Sequence, residues 1–145
     1  MMPITTVSRN EVASRFSAPC FLSRVRAGFP SPADDYMDRK LDLNEFLIHR
    51  PEATFYAWVQ GESMEGVGIY DGDLLIVDRA EEARDGDVVL ASLNGDLTCK
   101  ILDVARRRLI AAHKDYPPIV ISEGSTFEVE GTVISSVRLF RARAR

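Results

Sequence analysis

The stretch "VVLASLNGDLTCKILDV", residues 88–104, decides the fold. Two apolar, β-forming runs flank Asn94-Gly95. A two-residue type I′ turn needs φ > 0 at both central residues, and Asn followed by Gly meets that need at least cost. The stretch therefore predicts a β-hairpin. Its second arm alternates, with Leu97, Cys99 and Ile101 on one face and Thr98, Lys100 and Leu102 on the other.

Working outward, "TFYAWVQ" (54–60) is rich in β-formers, and "DLLIVD" (73–78) is a short apolar run between turn signals. "RRLIAAH" (107–113), "PPIVIS" (117–122) and "FEVEGTVISSVRLF" (127–140) repeat the theme. Short strands about ten residues apart predict a mainly β chain with a single twisted, barrel-like or sandwich β domain. Before it, "LDLNEFLIHRPEA" (41–53) predicts a short helix of about two turns. Asp42 and Glu45 form a capping box, Leu43, Phe46 and Leu47 share a face, and Pro51 ends the helix. Residues 1–40 read as an extended, flexible arm with four prolines and little periodicity, leaving 41–145 as the β-rich domain.

Composition narrows the class. A chain of 145 residues, 46% hydrophobic and 28% charged, suits one globular domain. The net charge is −4, so there is no general basic footprint for nucleic acid. Four arginines against Glu11 nevertheless make residues 1–27 basic. Cys20 and Cys99 are too few for a disulfide framework and read as reduced thiols of a cytoplasmic protein. No membrane span is expected, and "SRFSAPCFLSR" (14–24) is too broken by Arg15, Pro19 and Arg24 for an export signal. The arm holds too many prolines for a helix-turn-helix unit, so sequence-specific DNA binding is not expected.

Chemistry is scarce. His49 follows the short helix, where a cation suits the helix dipole. His113 falls in a turn and reads as surface, and neither histidine has a metal-ligand partner at useful spacing. Phosphate-cradling glycine motifs are absent from the sequence. What remains is "QGESMEGVGIYDGD" (60–73), in which Ser63 follows a strand and a glycine. An N-cap serine would prefer Glu or Gln at 66, where Gly66 stands, and the α/β-hydrolase elbow would need Gly at 65, where Glu65 stands. A serine can act without histidine if a lysine is its base.

Lys100, inside an apolar strand, is the candidate, with an edge-strand lysine that blocks aggregation as the structural alternative. An ordinary lysine is neutral only about once in 2500 at pH 7, so burial must lower its pKa by roughly 3, about 4 kcal/mol of disfavoured charge. Leu102 with the Trp58 and Val59 region are candidates for that environment. The backbone N–H groups of Glu62 and Ser63 would then hold the oxyanion. A substrate bond is also visible: in "RVRAGFPSPADDY" (24–36), Ala27-Gly28 lies in exposed, irregular chain punctuated by Pro30 and Pro32.

"GFPSPADDY", "LDLNEFLI", "GESM" with "DGDLLIVD", and "GDLTCK" follow one another at family spacing. In these segments the chain resembles the UmuD-type SOS-mutagenesis proteins and, more distantly, the self-cleaving C-terminal domains of LexA and phage repressors. The resemblance covers residues from about 20 to 138. It implies a LexA-like, signal-peptidase-like β fold, a Ser63–Lys100 dyad and a scissile Ala27-Gly28 bond. Departures are Glu62 where the family often has Asp, Ala rather than Cys before the scissile bond, Cys99 beside the base, and Ile101 where a second lysine can stand. The resemblance further implies stimulation by RecA on single-stranded DNA as co-protease, with no cofactor. It also implies a shortened homodimer of residues 28–145 and a UmuC-like Y-family polymerase as its translesion-synthesis partner. A non-catalytic dimeric β module that regulates a polymerase or repressor partner through its arm is the alternative. A signal-peptidase-like enzyme acting on other chains would share the Ser-Lys pair but lacks an anchor. The "RLFRARAR" tail (138–145) reads as solubilising charge.

Overall fold

The computed structural model describes residues 16–21, 24–28 and 38–141. The chain divides into two compact units, Met1–His49 and Arg50–Arg145.

The first unit holds a two-stranded antiparallel ladder that its composition does not announce. Strand β1 (Ser17–Phe21) pairs with β2 (Asp38–Asp42), Pro19 lying opposite Lys40. Pairing here is a main-chain matter, because the β1 side chains are all exposed and no apolar alternation is required. In a two-stranded sheet each strand is an edge, which is where proline is tolerated. Helix α1 (Leu43–Leu47) follows directly. The Asn44 N–H donates to Asp42 Oδ1 at 2.9 Å, the N-cap that the sequence signals. The helix is five residues, shorter than expected, and closes at Ile48 before Pro51 is reached. Pro51 instead opens a 3-10 turn, Pro51–Ala53. Pro30, Pro32 and most of the irregular segment that contains them lie outside the described residues.

The second unit is mainly β, as expected. Strands β3 (Thr54–Trp58), β4 (Leu74–Asp78), β5 (Val88–Leu93), β6 (Asp96–Asp103), β7 (Arg108–Ile110), β8 (Ile119–Val120) and β9 (Phe127–Val137) form one antiparallel sheet. Its order is β3-β4-β9-β5-β6-β7-β8. The β5–β6 hairpin turns at Asn94 (φ 51) and Gly95 (φ 87), the two positive φ values of a type I′ turn. Breaks in register on β9, between Ile76 and Val77 of β4 and between Leu90 and Ala91 of β5, mark bulges that bend this long strand.

Both faces of the sheet are covered, since successive side chains on a strand point oppositely. Leu90 enters a cluster with Met64, Ile69, Leu75 and Val77, while its neighbours Val89 and Ala91 enter another with Leu109. Each fully buried aliphatic side chain contributes about 1.5–3 kcal/mol. Cys99 and Ile101 pack on the first cluster and Leu102 on the second, so the alternation read from β6 holds. Among the described residues, no helix is long and apolar enough to cross a membrane.

Candidate active site

Ser63 lies on the segment that leaves β3 at Trp58 and returns to β4 at Leu74. The segment is closed at its base, where the Val59 N–H donates to Asp73 O and the Gly72 N–H to Val59 O. Within it, Met64 is 2% exposed and anchors the turn in the first core cluster. The 3-10 turn Glu65–Val67 follows, with Met64 as its cap and no side-chain cap hydrogen bond, so the Ser63 hydroxyl is not spent on capping.

Two backbone bonds tie this turn to Ala112. The Ala112 N–H donates to Ser63 O at 2.8 Å, and the Gly66 N–H donates to Ala112 O at 2.7 Å. Gly66 answers to that approach: a Cβ there would stand 2.6 Å from Ala112 O. The absence of Glu or Gln at 66 thus has a packing reason.

Lys100 reaches the same place from β6, where it lies opposite Val89 of β5. Its Nζ is 3.0 Å from Ser63 Oγ, 3.0 Å from Thr98 Oγ1 and 3.1 Å from the Cys99 carbonyl oxygen. These three acceptors match the three donors of an ammonium. They also suit the neutral amine, which can keep two N–H groups on Thr98 and Cys99 and turn its lone pair toward the Ser63 hydroxyl. Lys100 is buried, and among the described residues no carboxylate lies within ion-pair distance of it. Burial without a counter-charge lowers its pKa from the ordinary lysine value, since desolvation penalises the charged form. Burial likewise pushes the neighbouring Cys99 thiol up to about 11, so it is neutral at physiological pH.

The pair sits on an open groove of about 330 Å³, lined among others by Trp58, Val59, Gln60, Leu97 and Thr98. Trp58 and Val59 fall where the sequence reading puts them. Leu102 does not: it shares its face of β6 with Thr98 and Lys100 but packs on the second core cluster, away from the groove. The Glu62 and Ser63 carbonyls are engaged by the Glu65 and Ala112 N–H groups. Ala27 and Gly28 lie in an exposed bend, and apart from Gly28 itself and its chain neighbours no described atom falls within 4 Å of where a Gly28 Cβ would stand.

Three features escaped the sequence reading. Thr98 and the Cys99 carbonyl hold the amine, but neither announces itself as a functional type. His113 is half-buried rather than surface, stacks edge-on to Tyr116 and has company: Glu62, Glu65 and His113 each bring one ligand-type atom within 4.8 Å of the others. The Asp115 N–H donates to His113 Nδ1, which occupies that ring nitrogen. Finally, Arg138 is not solvated tail charge. It pairs with Asp73, while Arg143 and Arg145 lie outside the described residues. Both described cysteines, Cys20 and Cys99, are free thiols.

A serine hydroxyl and a buried lysine amine in contact on one groove are groups that can work chemically as nucleophile and base. The Peptidase S24-like family model matches residues 19–134, and the chain belongs to that family, as a UmuD-type member associated with SOS mutagenesis. The match spans Ala27-Gly28, Ser63 and Lys100. The chain is 48% identical over 99 residues to Protein ImpA of Salmonella typhimurium, covering 68% of each. It is 42% identical over 123 residues to Protein SamA of the same species, 84% of this chain and 88% of that one. Protein MucA of Escherichia coli is 39% identical over 123 residues, 83% of this chain and 84% of its own. The family is one of serine peptidases with self-cleaving members.

Proposed function

We propose that this chain is a self-cleaving serine peptidase that cuts its own Ala27-Gly28 bond with Ser63 as nucleophile and Lys100 as general base. The observation that carries this reading is the 3.0 Å contact between Lys100 Nζ and Ser63 Oγ, made by a buried lysine with no counter-charge among the described residues. Neutral Lys100 takes the Ser63 proton as Oγ attacks the Ala27 carbonyl carbon. The resulting oxyanion is held by the backbone N–H groups of Glu62 and Ser63. Collapse breaks the Ala27–Gly28 C–N bond, and the Lys100 ammonium returns its proton to the departing Gly28 amine. Water, activated by Lys100 in the same way, then hydrolyses the Ala27 ester on Ser63. The products are residues 1–27 and 28–145.

A tethered substrate acts at high effective concentration, so the groove need not bind foreign peptides tightly. Slow cleavage at rest follows from the fraction of Lys100 that stays protonated and from the position of the arm. A RecA filament on single-stranded DNA acts as co-protease by favouring the docked arm with neutral lysine. The shortened chain, as a homodimer in the cytoplasm, then serves a UmuC-like Y-family polymerase in translesion synthesis.

The test is intact mass after incubation with RecA, an ATP analogue and single-stranded DNA, and separately after incubation alone at pH 7–10. A single cut after Ala27 is expected. It should slow at least about a thousandfold in Ser63→Ala and in Lys100→Ala, as removal of a nucleophile or its base does elsewhere. Without RecA the rate should rise with pH as Lys100 loses its proton and level off below the ordinary lysine value of 10.5, because burial lowers its pKa. An uncut parent in every condition, or a flat pH profile, would move the function to a non-catalytic module acting through its arm.

A further inference from the structure

Arg138 stands one residue beyond β9, at the head of an arginine-rich terminus, and its side chain, still partly exposed, folds back over the buried Asp73. Its Nε is 3.0 Å from Asp73 Oδ1 and 3.4 Å from Oδ2, and its Nη2 is 3.0 Å from Oδ2. The same Nη2 donates to the Gly68 carbonyl at 2.6 Å. The guanidinium lies 4.0 Å from the centroid of the Tyr70 ring. Asp73 is 2% exposed and also accepts the Tyr70 N–H at 2.8 Å. Hydrogen bonding to Arg138 holds its carboxyl below the usual carboxylate range.

One side chain thus gathers a carbonyl, a ring and a carboxylate from residues 68, 70 and 73. These are the return half of the segment that carries Ser63. The outward half is held elsewhere, by Ala112 on Ser63 and Gly66 and by the buried Met64. The two halves meet at Met64 and Glu65: the Val67 and Ile69 N–H groups donate to Met64 O, and the Gly68 N–H donates to Glu65 O. A planar, five-donor fork can hold three points at once, which a lysine ammonium on a flexible stem does not reproduce.

From this geometry we infer that Arg138 is a positioning residue for the nucleophile: it fixes the return half of the segment so that the Ser63 turn stays seated against Ala112 and Lys100. The inference rests on the reading of Ser63 as nucleophile, but its first test does not need cleavage. In a Ser63→Ala background at pH 7, hydrogen exchange at the Gly66 and Ala112 amides should speed up at least about tenfold when Arg138→Gln is added. It should not change with Arg108→Gln, which breaks a comparable ion pair with Asp103. With Ser63 intact, the alkaline cleavage plateau of Arg138→Gln should fall roughly ten- to a hundredfold, the size expected for a misplaced reacting atom. This is to be measured well below its melting temperature.

The pH midpoint should stay put, since Arg138 does not touch Lys100, whereas a loss of folded protein would not slow the molecules that remain folded. Tyr70→Leu, which removes the ring and leaves the ion pair, should give a smaller loss of both protection and rate, and serves if Arg138→Gln does not fold. Parent-like exchange at Gly66 and Ala112 in the Arg138 variant would overturn the inference, as would full recovery of protection by Arg138→Lys. A parent that never cleaves would remove the self-cleavage reading instead, and the exchange result would still decide on the clamp.

Discussion

The two units of the chain spend their apolar residues in opposite ways. In the first, Phe16, Phe21, Val25, Leu43 and Phe46 are all at least half exposed, and Asp42 is the only residue among those described that is buried. In the second, Val77, Val89 and Leu109 show no exposed surface at all. Order in the first unit comes from backbone pairing and a helix cap. Order in the second comes from side chains removed from water on both faces of a sheet. A segment that buries so little gives up little when it is drawn into extended form, as a peptide bond entering a protease groove must be. The body that would cut it needs the reverse, since a serine and a lysine act together only if a rigid frame keeps them in contact.

The largest expected effect tests that contrast directly. Leu109→Ala empties a site with no exposed surface and should cost about 2–5 kcal/mol, read as a fall in denaturation midpoint. Phe46→Ala, at a position 62% exposed, should stay within about 0.5 kcal/mol. A Phe46 effect as large as that of Leu109 would break the comparison, because it would mean that the apolar side chains of the first unit are covered in solution.

Next in size is Gly66→Ala, which concerns how the frame holds the Ser63 turn. The added Cβ would meet Ala112 O at 2.6 Å, a backbone atom that cannot swing aside. A cost of about 1–3 kcal/mol is expected, typical of overpacking. It should come with slower self-cleavage, because the bond that must lengthen is the one seating the Ser63 turn. Unchanged stability would show that the turn has slack at this point.

How much of this was legible beforehand depends on how local the signal is. The hairpin could be read because Asn94-Gly95 states its own φ requirement, and the strands because apolar runs and turn residues alternate. The α1 cap was legible for the same reason. Its length was not, since a five-residue helix ends where its hydrogen bonds run out rather than at the next proline. The approach of Ser63 to Lys100, 37 residues apart, has no local signature, and the pair was reached by elimination among scarce chemical groups and by resemblance. Leu102 shows the limit of periodicity. Alternation puts it on the same face of β6 as Lys100, yet only Lys100 reaches Ser63 while Leu102 packs on the second cluster: periodicity assigns a face, not the neighbour met along it. Ala112 acts through its backbone and Arg138 through a partner 65 residues away, so neither residue type could have pointed to the role.

The smallest effect sharpens the comparison at its most specific point, the cost of burying an unpaired lysine. The measurement belongs in the Ser63→Ala background, where alkaline pH cannot cut the chain. Folded Lys100 holds its proton less tightly than unfolded Lys100, because burial disfavours the ammonium. Between that lowered value and the ordinary 10.5, the unfolded chain therefore binds more protons than the folded one. The Lys100 contribution to unfolding free energy must then rise with pH across this window, and the destabilisation is fully present only below the folded pKa. Adding Lys100→Met removes the titration. The gap between the two chains should therefore shift in favour of the lysine form from pH 7 to 10 and stop shifting above about 10.5. The Cys99 thiol, raised from 9.0 to about 11, acts the other way between those values, but it is present in both chains and so does not set the gap between them. A gap that stays constant, or moves the other way, would mean that Lys100 keeps an ordinary or raised affinity for its proton. It would then be too seldom neutral to serve Ser63 as a base.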